Sequence, residues 1–269
     1  MAITTTTQIP PAVSEFYDKL LLVRALPNLV HDRFGQRRDL PPNNSGTIKF
    51  RRYESLSVAT TPLTEGTTPS SVQLSKTDIS ANIDEYGNYI EITDKVNLLN
   101  VDKVLTEATN VLGENAGQSL DVLTRDILVA GTNVQYSNGS ARNAINTIID
   151  TTTLQKAIRT LEGNNAKYHT TMIEGSTKIA TIPIAPAYWA IVHPDVAMTL
   201  RNLTDFIPVE KYANQQQVMK EEIGAYRQIR FVTSTQTKIW TGAGAATTSI
   251  KNTGGVADVY ATLIFGTDA

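Results

Sequence analysis

None of the 269 residues is a cysteine, which excludes disulfides and every thiolate metal site. Histidine is nearly as scarce: His31, His169 and His193 are far apart and share no ligand spacing. No HExxH, nucleophile elbow or Gly-Lys-Ser/Thr loop occurs, and Gly242, Gly244, Gly254 and Gly255 match no phosphate fingerprint. Long apolar runs are missing as well. The longest uncharged one, residues 179–192, is shorter than the ~20 residues of a membrane helix and contains Pro183 and Pro186. Residues 1–11 lack the basic start and apolar centre of a secretory signal. The expectation is a soluble cytoplasmic protein with no cofactor, metal or membrane partner.

A large charge of one sign is also absent, the formal net charge being −2. Its distribution is uneven. Residues 1–52 hold eight Lys or Arg against four Asp or Glu, a net +4, and the rest holds 16 against 22, a net −6. The basic series Arg33, Arg37, Arg38, Lys49, Arg51 and Arg52 suits phosphates read without sequence preference, or the acidic body of a neighbouring subunit. Few aromatics interleave it to stack bases.

Acidic and histidine candidates for chemistry fare poorly. Asp84 and Glu85 are adjacent on an expected strand, so they point to opposite faces and share no proton. Glu114, Glu221 and Glu222 are expected on solvated faces. His193 precedes Pro194 at a strand-to-helix turn, where it either bonds local backbone or serves a hydrolase with a Ser or Asp.

What the chain does have is architecture. Residues 100–131 place Val101, Val104, Leu105, Ala108, Val111 and Leu112, then Ala116, Leu120, Leu123, Ile127 and Ala130, on one helical face. Asn100 can cap the start, Gly131 offers a left-handed stop, and Gly113 and Gly117 leave a groove for another backbone. From Asp102 to Ala130 the helix runs about 43 Å, a spine.

A helix over residues 13–23 is expected to end at Pro27, followed by an extended arm at 32–44. Strand character at 47–58 and 72–93 flanks TTPLTEGTTPSS, and this predicts a projecting β-arm that needs a partner surface. Beyond the spine come a helix at 154–163 ended by Gly163, a strand within 170–184, a strand at 188–193, a helix at 195–203, a strand at 229–233, a Gly/Ala/Thr loop at 241–255 and the strand VYATLIF at 259–265. The interleaving shows no βαβ repeat, so the class is α+β.

In order, the FG turn at Phe34-Gly35, SGT into KFRRY, TPLTEGTTP, the long helix, YWAIVHPDVAMTLRNL, IGAYRQIRFV and DVYATLIFG resemble a tailed-phage major capsid protein of the Hong Kong 97 fold, in the N4-like podovirus branch. The resemblance implies an N-terminal helix and arm at 1–45, an extension loop (the β-arm) at 46–93, a peripheral domain at 94–151 with the spine at 101–131, and an axial domain at 152–269. It implies tip residues Pro62, Leu63, Thr64, Glu65, Gly66 and Pro69 as assembly contacts, and Arg33, Arg37, Arg38, Arg51 and Arg52 as DNA-facing. It further implies a self-assembling icosahedral shell of pentamers and hexamers around double-stranded DNA, built in the host cytoplasm with scaffold and portal proteins, and no catalytic residues. Relatives continue past Gly266–Ala269, so the axial domain is expected to be incomplete there, with the partner of VYATLIF open. An encapsulin-type compartment is the alternative on the same fold.

Overall fold

The computed structural model describes residues 29–35, 39, 46–99, 104–170, 184–212 and 219–267. The expected helix at 13–23, the cap Asn100, Arg37, Arg38 and nearly all of the strand sought at 170–184 lie outside them. The chain divides into two compact units, residues 36–88 and the remainder.

The smaller unit is a hairpin of β1 (Thr47–Tyr53) and β2 (Lys76–Asn82), antiparallel from Thr47↔Asn82 to Tyr53↔Lys76. Both strands are shorter than expected. Residues 54–75 and 83–93 form no strand, because Pro62, Pro69 and the Thr/Ser run offer no alternating apolar side to pair. Asp84 and Glu85 therefore sit on no strand, contrary to expectation, and both are exposed. Gly66 turns the tip at φ +79°, with the Thr67 N–H donating to the Thr64 carbonyl at 3.2 Å. Only glycine takes this φ without strain.

In the larger unit, α1 (Asp94–Leu99) precedes the spine α2 (Val104–Val129). The helix ends without a left-handed glycine. The Ala130 N–H is shared between Asp126 and Ile127 carbonyls, and the Gly131 N–H turns back to Leu128 at 3.3 Å, a tightening last turn that satisfies the final carbonyls. Next comes α3 (Thr151–Gly163), whose cap Asp150 accepts the Thr153 N–H at 2.7 Å. Its left-handed residue is Asn165, at φ 55°, rather than Gly163.

The remaining elements are β3 (Tyr188–Val192), α4 (Pro194–Arg201), β4 (Phe206–Pro208), β5 (Glu222–Tyr226), β6 (Ile229–Thr233), β7 (Ile239–Trp240), β8 (Asn252–Thr253), β9 (Val256–Ala257), β10 (Val259–Tyr260) and β11 (Leu263–Phe265). The main sheet has the order β11-β3-β6-β5-β4, with β3 and β6 parallel and the other pairs antiparallel. β3, YWAIV, is buried along its whole length, as a central strand covered on both faces must be. On one face, Ala190, Val192, Phe231 and Tyr226 pack against Leu154 and Ile158 of α3 and Ala197 and Leu200 of α4. On the other, Trp189, Ile191 and Val232 meet Val30, Phe34, Met219 and Phe265.

VYATLIF does not stay one strand. It divides into β10, paired with β7, and β11, paired with β3, so both halves find partners within the chain. The 241–255 loop likewise contains β8, which pairs with β9 just beyond it. Strand β5 was invisible in the sequence, and Glu222 within it is buried, not solvated. The cause is a bulge: Glu222 pairs with Val232 and Gly224 with Phe231, leaving Ile223 extra. That extra residue moves Glu222 to the side of the sheet that Val232 and Arg230 share.

At Gly224 the edge strand β4 lies so close that a Cβ would collide with the Phe206 ring and sit 2.6 Å from the Ile207 carbonyl oxygen. Gly224→Ala is expected to destabilise the chain by about 1–3 kcal/mol through overpacking, seen as a lower denaturation midpoint in urea at unchanged slope.

Candidate assembly interface

Alternation gives the hairpin two unlike faces. Ile48 and Phe50 stand opposite Ala81 and Ile79 on one, while Thr47, Lys49, Arg51 and Tyr53 face Asn82, Ser80, Asp78 and Lys76 on the other. The polar face is cross-linked by Thr47 Oγ1 donating to Asn82 at 2.9 Å and by Arg51 Nε donating to Asp78 at 3.0 Å. Arg51 and then Lys76 hold the Asp78 carboxyl below its ordinary value. Glu54 accepts the Thr77 hydroxyl at 2.6 Å and the Arg52 guanidinium at 3.1 Å, which lower its carboxyl in the same way. Arg51 and Arg52 thus have balancing carboxylates inside the hairpin, which leaves less charge for a polyanion. Arg52 and Thr77 close one end of the face that carries Ile48, Phe50, Ala81 and Ile79, and on the rest of it Phe50 and Ile79 are exposed. All six tip residues, Pro62, Leu63, Thr64, Glu65, Gly66 and Pro69, are exposed in the loop.

The spine helix repeats this asymmetry. Leu105, Val111, Leu120 and Ile127 of its apolar stripe are exposed, and its one buried residue is Asp121. Sequence reasoning missed that residue and its partner. The His31 N–H donates to Asp121 Oδ1 at 2.8 Å, and Nδ1 lies 2.7 Å from Oδ2, with side chains 0% and 2% exposed. A carboxylate only accepts, so Nδ1 carries the proton. Burial alone would raise the Asp121 carboxyl, but the bonds from the His31 ring and backbone outweigh it and hold it below its ordinary value.

One helical turn away, a Cβ on Gly117 would lie 3.1 Å from the Leu29 side chain. Half of the anticipated glycine groove is therefore in use, while Gly113 faces open space. Phe34 of the FG turn stacks on Phe265, centroids 5.5 Å apart, and leans on Trp189 at 6.0 Å. Residues 29–34 are thus wedged between spine and sheet, with Arg33 among them exposed. At the far end of the spine, Arg125 donates to the Gln236 carbonyl at 2.7 Å and Lys238 reaches Asp126 at 3.3 Å.

His193 takes the backbone role weighed for it. Its Nδ1 accepts the Asp195 N–H at 3.2 Å and caps α4. Burial, seconded by Lys251, keeps the ring below its ordinary pKa against the opposing Asp195 carboxylate. Asp195 Oδ2 is itself taken by Lys251 at 2.5 Å and the Tyr260 hydroxyl at 2.7 Å. Among the described residues no group of acidic, histidine or cysteine side chains could hold a metal, and no helix is long and apolar enough to cross a membrane.

No curated protein sequence matches this chain. Solved structures do. The capsid of Ralstonia phage GP4 is 12% identical with a TM-score of 0.66, over 100% of this chain and 83% of its own. The capsid of cyanophage P-SCSP1u is 14% identical with a TM-score of 0.59, over 98% and 80%. A Mycobacterium phage Che8 chain is 13% identical with a TM-score of 0.55, over 96% and 93%. At such identities the likeness concerns the fold, the Hong Kong 97-like capsid architecture. A family model described as phage capsid protein matches residues 76–266, most of the chain. With that match, the chain belongs to the phage capsid protein family and is a structural subunit of a capsid shell.

Proposed function

We propose that the chain assembles with copies of itself into pentamers and hexamers of an icosahedral shell that encloses double-stranded DNA, and that it performs no catalysis. The observation that carries this reading is the placement of exposed apolar side chains. Of the 22 large ones among the described residues, 19 fall between Phe50 and Val134, in the arm, its base and the spine. Exposed apolar surface so concentrated is a contact surface, and matching segments on one chain suit a repeated heterologous contact. In this reading residues 46–93 lie over an adjacent subunit, 94–151 form the peripheral domain, 152–269 meet around the shell's axes, and residues 1–45 run along the inner wall. Assembly takes place in the host cytoplasm, with scaffold and portal proteins as further partners. The TPLTEG tip and the IGAYRQIRFV segment support the N4-like branch.

Negative-stain microscopy of concentrated protein tests the proposal. Closed shells or capsomer rings are expected, and a strictly monomeric chain at every concentration would overturn it.

DNA binding should be weak and blind to sequence. Its affinity should fall with log salt at a slope set mainly by Arg33, Arg37 and Arg38, since Arg51 and Arg52 are balanced by Asp78 and Glu54. Deleting residues 1–40 should flatten that slope, whereas Arg51→Ala should barely change it. Filter binding across a salt series decides between them.

A further inference from the structure

A buried cation on the sheet has unused bonding capacity. Arg230 of β6 is 2% exposed, and neither its Nε nor its Nη2 has a hydrogen-bond partner among the described residues. These two nitrogens share one edge of the guanidinium, the edge that grips a carboxylate through two parallel bonds. Trp189 and Tyr212 flank the group, each ring centroid 5.8 Å from Cζ. Cation–π attraction offsets part of the cost of burial but satisfies no N–H.

The matching anion is close at hand and engaged elsewhere. Glu222 Oε1 accepts the Tyr212 hydroxyl at 2.8 Å, and Oε2 accepts the Met219 N–H at 3.3 Å. The bulge that pairs Glu222 with Val232 puts it diagonally across from Arg230, which pairs with Ala225. Diagonal cross-strand neighbours are roughly 7–8 Å apart at the backbone, within reach of two long side chains. We propose that Glu222 is a two-position carboxylate: in one packing it holds Tyr212 and Met219, and in the other a side-chain rotation seats it on the empty Arg230 edge.

Each position leaves something unsatisfied, which is what gives the pair two comparable states. On Tyr212 the Arg230 edge is orphaned; on Arg230 the Tyr212 hydroxyl and Met219 N–H lose their acceptor. Burial pushes the Glu222 carboxyl up, against the opposing influence of Tyr212, Arg230 and Met219. Burial and the Glu222 charge also push the Tyr212 hydroxyl up, so it remains a donor. Tyr212 lies against Ile184 and Ala225, so the choice made by Glu222 alters the packing of that whole cluster. A shell subunit that must fit unlike neighbours has a use for two packings of one sheet face. That use rests on the shell reading; the test below is made on the isolated chain, so its failure leaves the reading intact.

The test is a double-mutant cycle read by melting temperature. Tyr212→Phe removes the hydroxyl, and in the parent Glu222 moves to Arg230, so the drop is about 2 °C or less. In an Arg230→Met background the carboxylate has no second seat, and the same change should lower melting by about 5 °C or more. Equal drops in both backgrounds would overturn the proposal. Should Arg230→Met fail to fold, nitrogen-15 NMR of the Arg230 Nε–H in parent and Tyr212→Phe supplies the answer. A downfield shift with slower exchange in the variant is expected, and an unmoved resonance sinks the idea.

Discussion

Asp121→Ala is expected to lower the unfolding temperature by roughly 10 °C. The substitution leaves the His31 backbone N–H and the ring Nδ1–H with no acceptor in a site closed to water, and each buried donor so orphaned costs about 1–3 kcal/mol. For a chain of this size each kcal/mol moves the melting point about 2–4 °C. The loss should be felt at both ends of the wedge. Once His31 is released, Val30 and Phe34 lose the anchor that holds them on Trp189, Ile191 and Phe265.

The pH dependence has a definite sign. The folded Asp121 carboxyl lies below its unfolded value, so its stabilisation is complete above about pH 4 and is lost as pH falls through the folded value. The difference in melting temperature between parent and Asp121→Asn should therefore be constant from pH 7 to 5 and shrink below pH 4. A difference that stays flat to pH 2 would mean the carboxylate is not the group that matters.

Exchanging residues 60–75 for an Asn-Gly turn should abolish shells and capsomers, or weaken them at least tenfold in the concentration needed, while leaving the fold intact. In the chain as described, these residues contribute no buried side chain, and Leu63, Val72 and Leu74 are exposed. Excision removes the Ser75 carbonyl that accepts the Glu54 N–H, but the ladder from Tyr53↔Lys76 to Thr47↔Asn82 lies wholly outside the excised segment. Circular dichroism and melting of the dissociated subunit should stay within a degree or two of the parent. Sedimentation across a concentration series reads the assembly. A variant that melts early would identify the tip as core, and one that assembles normally would remove it from the interface.

The two expectations fail or succeed independently. Asp121 tests the union of wedge and spine inside one subunit; the tip tests contact between subunits. A chain that lost both together would mean that the arm and the wedge stabilise one another.

Local pattern determined much of this protein. The 3.6-residue stripe announced the spine, YWAIV announced a strand, and His193-Pro194 announced the start of a helix. The order of these segments was enough to expect a capsid fold, since each depends only on side chains a few residues apart. What sequence left open was decided by partners far along the chain. Asp121 reads as a polar interruption of an apolar stripe until His31, 90 residues away, is folded against it. Glu222 reads as a surface acid until one extra residue in β5 turns it inward beside Arg230. VYATLIF reads as one strand, yet β7 claims its first half and β3 its second. Hydrophobic periodicity is a local property, whereas register, bulges and buried charge pairing are fixed only when separate strands and helices close on each other.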